Sequence, residues 1–269
     1  MDAKTKSRYR GYLATQLLWV SEQVSPFPQI KLNKSVDLIG EGAVFKHRRL
    51  GKLVEEFVFH QLKNEPSVTW ISDNLQIQDG KRTVGEMDAL YYEGETPIHL
   101  EVAYKFYLYD TVDTYTEPLA YWIGPNRKDN LSYKLTKLHR RQFPLLHHPL
   151  SKPLLAAYGL AANTIVQKLC FKAQLFLPYQ NRAMDVGPLN KDCIAGFYIS
   201  YSALRQLAGY VFFLPAKLDW IVIPHPSVTW LEYAVAVALL EADIRNGRSP
   251  MIWIKGPDGK IRKGFVVFW

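Results

Sequence analysis

Val84-Gly85-Glu86-Met87-Asp88-Ala89-Leu90-Tyr91-Tyr92, the turn Glu93-Gly94-Glu95-Thr96, and Pro97-Ile98-His99-Leu100-Glu101-Val102-Ala103-Tyr104-Lys105-Phe106-Tyr107 decide how this chain folds. Strand-forming residues on both sides of a Gly-containing turn predict a β-hairpin. With Tyr92 facing Pro97, the register sets Asp88 opposite Glu101, their Cβ atoms about 5 Å apart on one face. Two carboxylates so placed repel each other. A hard divalent cation between them makes the arrangement favourable, because Mg²⁺ is held by one or two carboxylates together with water and substrate phosphates. The hairpin is therefore a candidate metal site, with Mg²⁺ the expected ion and Mn²⁺ its substitute.

Outward from the hairpin, a helix is predicted over 45–62, stopped by Asn64 to Pro66, and a strand over 68–77 precedes the hairpin strands at 83–92 and 98–109. Asp129 or Asn130 can cap a helix running to about Gln142, and a strand follows at 173–178. Helices are also expected near 13–23 and 227–246. A closing hairpin turns at Pro257-Asp258-Gly259 between 251–254 and 261–269. The expected class is α/β, a mixed sheet flanked by helices. The expected division is an N-terminal helical extension over 1–44, a core over 45–180, and a C-terminal α+β extension over 181–269 packed on that core.

At 269 residues and 48% hydrophobic, the chain can bury a substantial core. Its two cysteines, Cys170 and Cys193, are too few for a disulfide framework and match no zinc-ligand spacing, so both are expected to be buried thiols. The apolar stretch 12–20 is interrupted by Gln16 and lacks a small-residue cleavage site, which argues against a signal peptide. The run 235–240 is far short of a membrane span. A cytoplasmic protein without a membrane partner is expected.

Formal net charge is +8. The excess gathers in 4–10, in His47-Arg48-Arg49 with Lys52, in 127–141 and in 248–263. Any one cluster reads as a solvated face, but several beside a carboxylate-bound metal suit a groove for a phosphate backbone. Arg127, Lys134, Lys137 and Arg141 are the candidates for contacting it.

Gly85-Glu86-Met87-Asp88 followed by His99-Leu100-Glu101-Val102 resembles the G-E-x-D and strand-Glu motifs of PD-(D/E)XK nucleases, the restriction-endonuclease-like superfamily. More specifically, Leu50-Gly51 with Glu55, the two hairpin segments, and Trp122-Ile123-Gly124-Pro125-Asn126 resemble a bacterial family described as domain of unknown function 1853. The superfamily resemblance implies a restriction-endonuclease-like sheet and Mg²⁺-dependent hydrolysis of phosphodiester bonds. On this chain it implies that Asp88 and Glu101 hold the metal, with the Val102 carbonyl as a third ligand. A nearby lysine would offset charge developing in the transition state.

The lysine departs from the superfamily pattern. Two residues after Glu101 stands Ala103, and the nearest candidate is Lys105. Strand alternation puts Lys105 on the face of Glu101, but with its Cα about 13 Å away rather than about 7 Å. Lys134, on the following helix, is the alternative source of that charge.

On that helix Leu131, Leu135 and Leu138 form an inward stripe that Gln142 continues, while Lys134, Lys137 and Arg141 share one flank. Gln142 either reaches the site or ends the helix in solvent. On the earlier helix Leu50, Leu53, Val54, Phe57 and Val58 define the core face, with Glu55 and Glu56 at equal angles on either side. Periodicity does not separate the two. The family resemblance selects Glu55 as a supporting acid, and Glu86, on the strand face of Asp88, is a second.

Aromatics interleave with basic residues in the closing hairpin, where Trp253, Phe265 and Trp269 could stack unpaired bases. Core packing or a homodimer contact is their plainer use. Two functions remain in view: a nuclease acting on DNA ends, flaps or junctions, and a catalytically inactive nuclease fold that binds nucleic acid or a protein.

Overall fold

A computed structural model describes residues 2–20, 23–32, 44–181 and 184–269. Part of the extension expected over 1–44, and part of the helix expected to reach Gln23, lie outside the described residues. The helices are α1 (Ala3–Ala14), α2 (Leu50–Lys63), α3 (Leu131–Lys137), α4 (Ser151–Ala157) and α5 (Tyr233–Arg245). The strands are β1 (Val68–Asp79), β2 (Arg82–Glu93), β3 (Thr96–Tyr109), β4 (Trp122–Ile123), β5 (Val166–Pro178), β6 (Ile194–Ser200), β7 (Val211–Phe213), β8 (Met251–Lys255) and β9 (Ile261–Val267). They form one mixed sheet in the order β1-β2-β3-β5-β6-β9-β8-β7, with β4 paired to β3. The α/β class expected from the hairpin and its flanking helices is what the chain adopts.

The chain divides into two compact units, and β3 and β5 contribute residues to both. The first unit holds Trp19–Tyr104 and Tyr133–Lys172; the second holds Asp2–Leu18, Lys105–Ser132 and Ala173–Trp269. In the first, β1, β2 and β3 make an antiparallel meander in which Tyr92 pairs with Pro97, the register set by the four-residue turn. Gly94 takes φ +61° in that turn, a left-handed conformation that costs glycine nothing sterically. The apolar stripe of α2 is buried as its spacing requires. Ile77, Met87 and Leu90 pack with Leu145, Leu146, Leu155, Leu160 and Ile165 into this unit's core.

The second unit is built on β6, β9, β8 and β7, with β6 and β9 parallel and the closing hairpin antiparallel. Phe197, Phe212, Ile252, Ile254 and Val266 pack against Ala236 and Leu240 of α5. Trp253 and Phe265 are buried, so these hairpin aromatics build the core. Trp269 has its indole NH on the Pro125 carbonyl and its ring under the Arg127 guanidinium.

Several element boundaries differ from expectation. The first helix covers Ala3–Ala14 because Asp2 caps it, accepting the Thr5 amide at 2.7 Å, and the chain turns extended at Thr15. Leu18 and Trp19, which suggested a continuing helix, are buried without helical structure. The helix expected from residue 45 begins at Leu50, and the one expected from 227 begins at Tyr233. The strand expected at 173–178 starts at Val166. Strands β6 and β7 and helix α4 were not anticipated. After α3 the backbone continues as a π-helical turn over Leu138–Gln142.

Candidate functional site

Several elements of the first unit converge on one polar cluster. The β2–β3 ladder runs from Glu93 and Thr96 to Ala89 and Leu100 and stops there. The next residues are Asp88 and Glu101, both buried. Asp88 Oδ2 accepts the Val102 amide at 2.8 Å, and the Asp88 amide in turn donates toward the Glu101 carboxylate. Side chains thus replace backbone partners where the ladder ends. Gly85, three residues before Asp88, lets Leu145 pack against the strand: a Cβ there would lie 2.4 Å from a Leu145 methyl.

Helix α2 adds Glu55 and Lys52, one turn apart. Lys52 Nζ lies 2.6 Å from Glu55 Oε2, 2.7 Å from Glu86 Oε1 and 3.1 Å from Asn74 Oδ1. Glu56 points elsewhere, accepting the amides of Lys46 and His47. The ambiguity that helical angle leaves is therefore resolved in favour of Glu55.

The electrostatics follow from burial and like charge. Burial, and then the nearby Glu101 charge, push the Asp88 carboxyl up to about 7. Glu101 is pushed up to about 8 by burial, with the Glu55 charge adding to it and Lys134 opposing. Glu55 rises to about 7, again through burial and then Asp88. Burial works to lower the Lys52 ammonium, but its pairs with Glu55 and Glu86 outweigh this and hold it above its ordinary value. Lys52 and Lys134 are the cations that oppose this negative charge.

Lys134 is tied to the site through Gln142. Its Nζ donates to Gln142 Oε1 at 2.9 Å, and Gln142 Nε2 donates in a short contact to Glu101 Oε2. Lys105 belongs to the second unit, where its ammonium pairs with Asp129 at 2.5 Å. Arg127 also belongs there; its guanidinium binds both Asp110 oxygens and Asp113 and covers Trp269. The structure thus groups Asp88, Glu101, Glu55, Glu86, Lys134 and Gln142. Lys105 and Arg127 have their partners in the other unit. Lys137 and Arg141 are exposed on and just after α3.

Other members of the cluster were not anticipated. His99 is fully buried, with Nε2 3.1 Å from Glu101 Oε1 and Nδ1 3.0 Å from Gln167 Nε2. Burial lowers the imidazole to about 4, so it is neutral near pH 7 and its contact with Glu101 is a hydrogen bond rather than an ion pair. The signal for His99 was period two, since it shares a strand face with Glu101. Gln167, 68 residues further along the chain, carried no such signal. Lys52 was readable only as part of a basic cluster, although its spacing of three from Glu55 allows the pair.

Among the described residues, no group of three or more His, Cys, Asp or Glu side chains is arranged to hold a metal ion. The donors present nevertheless fit a hard cation of the Mg²⁺ kind, which needs only one or two carboxylates and takes its other oxygens from water and substrate. Asp88 and Glu101 are hard oxygen donors whose mutual repulsion a cation would relieve.

A family model described as domain of unknown function (DUF1853) matches residues 22–267. The chain belongs to this family. The match covers the whole polar cluster, from Lys52 and Glu55 to Gln167. No curated protein and no solved structure matches significantly. Among the described residues no helix is long and apolar enough to cross a membrane.

Proposed function

We propose that this family member is a Mg²⁺-dependent nuclease of the PD-(D/E)XK type, hydrolysing phosphodiester bonds in DNA at ends, flaps or junctions. The observation that carries the reading is the burial of Asp88 and Glu101 beside the half-buried Glu55, close enough to raise one another's pKa, with a lysine reaching Glu101 through an amide. Asp88 and Glu101 would hold the cation, with the Val102 carbonyl a third donor. When bound, the cation supplies Lewis-acid polarisation of a phosphoryl oxygen and stabilises the leaving oxygen. Glu55 and Glu86 hold Lys52 beside the acids. Lys134 supplies positive charge on the α3 side, in the role first assigned to Lys105, where it offsets charge that develops on the phosphoryl group. Lys137 and Arg141 offer exposed charges to the backbone of the substrate.

A catalytically inactive binding module is the competing reading, and the pairing of Lys105 with Asp129 is what favours it. Against it stands the acid cluster, since buried carboxylates beside a polyanion serve no purpose in a simple binder. The deciding experiment is cleavage of single-stranded, double-stranded and branched DNA at enzyme excess with Mg²⁺ or Mn²⁺. Metal-dependent cleavage by the wild-type chain that disappears in Asp88→Asn supports the nuclease; no cleavage of any substrate favours the binder.

A further inference from the structure

We propose that His99 and Gln167 are positioning residues for Glu101, and that the Phe143 carbonyl fixes the direction in which their hydrogen bonds run. The inference rests on Glu101 being a ligand group of the site described above. A backbone carbonyl oxygen only accepts hydrogen bonds. Gln167 Nε2 donates to Phe143 O at 2.8 Å, which fixes the orientation of the Gln167 amide. The same nitrogen lies 3.0 Å from His99 Nδ1. An amide nitrogen carries two hydrogens and accepts none, so Nδ1 must be the bare, accepting nitrogen of the ring. The ring hydrogen then sits on Nε2, 3.1 Å from Glu101 Oε1, and is donated to it.

The other Glu101 oxygen is held in the same manner. The Lys134 ammonium only donates, so Gln142 must turn its Oε1 toward Lys134 and its Nε2 toward Glu101 Oε2. Each oxygen of Glu101 therefore receives a donor whose direction is set by a group that cannot reverse. The π-helical turn Leu138–Gln142 explains why both arms arrive together. Its last residue supplies the Gln142 side chain to one, and the next residue, Phe143, which opens the following 3₁₀ turn, supplies its carbonyl to the other. Such turns recur at functional sites. His99 is enclosed, its ring edge-on to Phe143 at 5.8 Å between centroids. The carboxylate is thereby held in one plane, and its remaining lone pairs have a fixed direction for a ligand. Partners of this kind behind a ligating group are worth about 10- to 100-fold in metal affinity.

The test uses the full chain. ¹⁵N NMR of the histidine rings, with the His99 signals assigned by their loss in His99→Gln, should show a neutral ring protonated at Nε2 and bare at Nδ1. A ring carrying its hydrogen at Nδ1 would overturn the inference whatever the metal does. In Mn²⁺ titrations, His99→Phe and the milder Gln167→Met should each weaken affinity by about 10-fold or more. The double variant should lose little beyond His99→Phe, because Gln167 acts through His99. His99→Gln, whose amide can donate again to Glu101, should recover part of the affinity. Unchanged Mn²⁺ affinity in folded Gln167→Met and His99→Phe overturns the positioning role. Absence of Mn²⁺ binding by the wild-type chain would instead strike the metal reading, and the ring tautomer would still decide the arm through His99.

Discussion

Asp88, one residue beyond the last ladder pair of β2 and β3, accepts the Val102 amide on its carboxylate at 2.8 Å. The strand ends are thus joined through an acid that has reason to be uncharged in the metal-free protein, since burial and Glu101 hold its pKa near 7.

Stability without metal should therefore fall with rising pH. Asp88 and Glu101 have folded pKa values of about 7 and about 8 against ordinary values of 3.8 and 4.5. The folded state keeps these protons longer than the unfolded state. Their contribution is complete below about pH 4 and is lost as pH climbs through the folded values. The double variant Asp88→Asn with Glu101→Gln lacks both titrations. In urea unfolding with a chelator present, it should match the wild type near pH 5 and exceed it at pH 8. A wild-type advantage that grows toward pH 8 would mean the two acids are not buried together.

The same double variant tests the metal. Calorimetric titration should show wild-type binding of Mn²⁺ and none in the variant, and Mn²⁺ should raise the wild-type melting temperature most at pH 8, where the acids are charged. Equal affinity in both proteins would place the ion elsewhere.

How much of this was legible in the sequence depends on how local each cause is. The register that pairs Tyr92 with Pro97 and leaves Asp88 and Glu101 next after the last pair follows from a four-residue turn readable within 20 residues. The partner of Lys105 was not legible, because strand spacing places that lysine on a face while Asp129, 24 residues on, decides what it pairs with. Glu55 and Glu56 are equal by helical angle, and only their contacts separate them. Gln167 and Phe143 meet His99 through long-range packing that has no sequence period. Strand β6 was not anticipated, and it carries Gly196. In the structure that glycine is required, since a Cβ would lie 1.9 Å from the Lys263 carbonyl oxygen of β9.

Gly196→Ala should accordingly destabilise the fold. The obstructing atom is backbone in the paired strand, so relief requires shifting the β6–β9 ladder. Overpacking of this kind costs about 1–3 kcal/mol, and a strand-to-strand clash belongs at the upper end. Equilibrium denaturation measures it, and a change within about 0.5 kcal/mol, ordinary for an unconstrained surface site, would contradict the close approach.

The exposed charges of α3 and the turn after it should act on phosphates rather than bases. Replacing Lys137 and Arg141 together with Gln should weaken binding to unrelated DNA sequences nearly equally. It should also reduce the slope of log affinity against log salt by about 2, given roughly 0.9 per duplex phosphate contact. An unchanged slope would place the polyanion on another surface.

The catalytic lysine separates the readings most sharply. Lys134 reaches Glu101 through Gln142, whereas Lys105 is paired with Asp129 in the second unit. If Lys134 offsets charge in the transition state, Lys134→Ala should leave DNA affinity largely intact and cut single-turnover cleavage by about 10²-fold or more, the scale for loss of one such donor. Gln142→Leu should reproduce part of that loss, because the lysine would keep its charge but lose the amide that ties it to Glu101. Lys105→Ala should change cleavage little and should show its effect in stability, where the Asp129 pair is lost. Rates that fall selectively in Lys105→Ala and not in Lys134→Ala would reverse the assignment, and would require Lys105 to leave Asp129 when substrate binds.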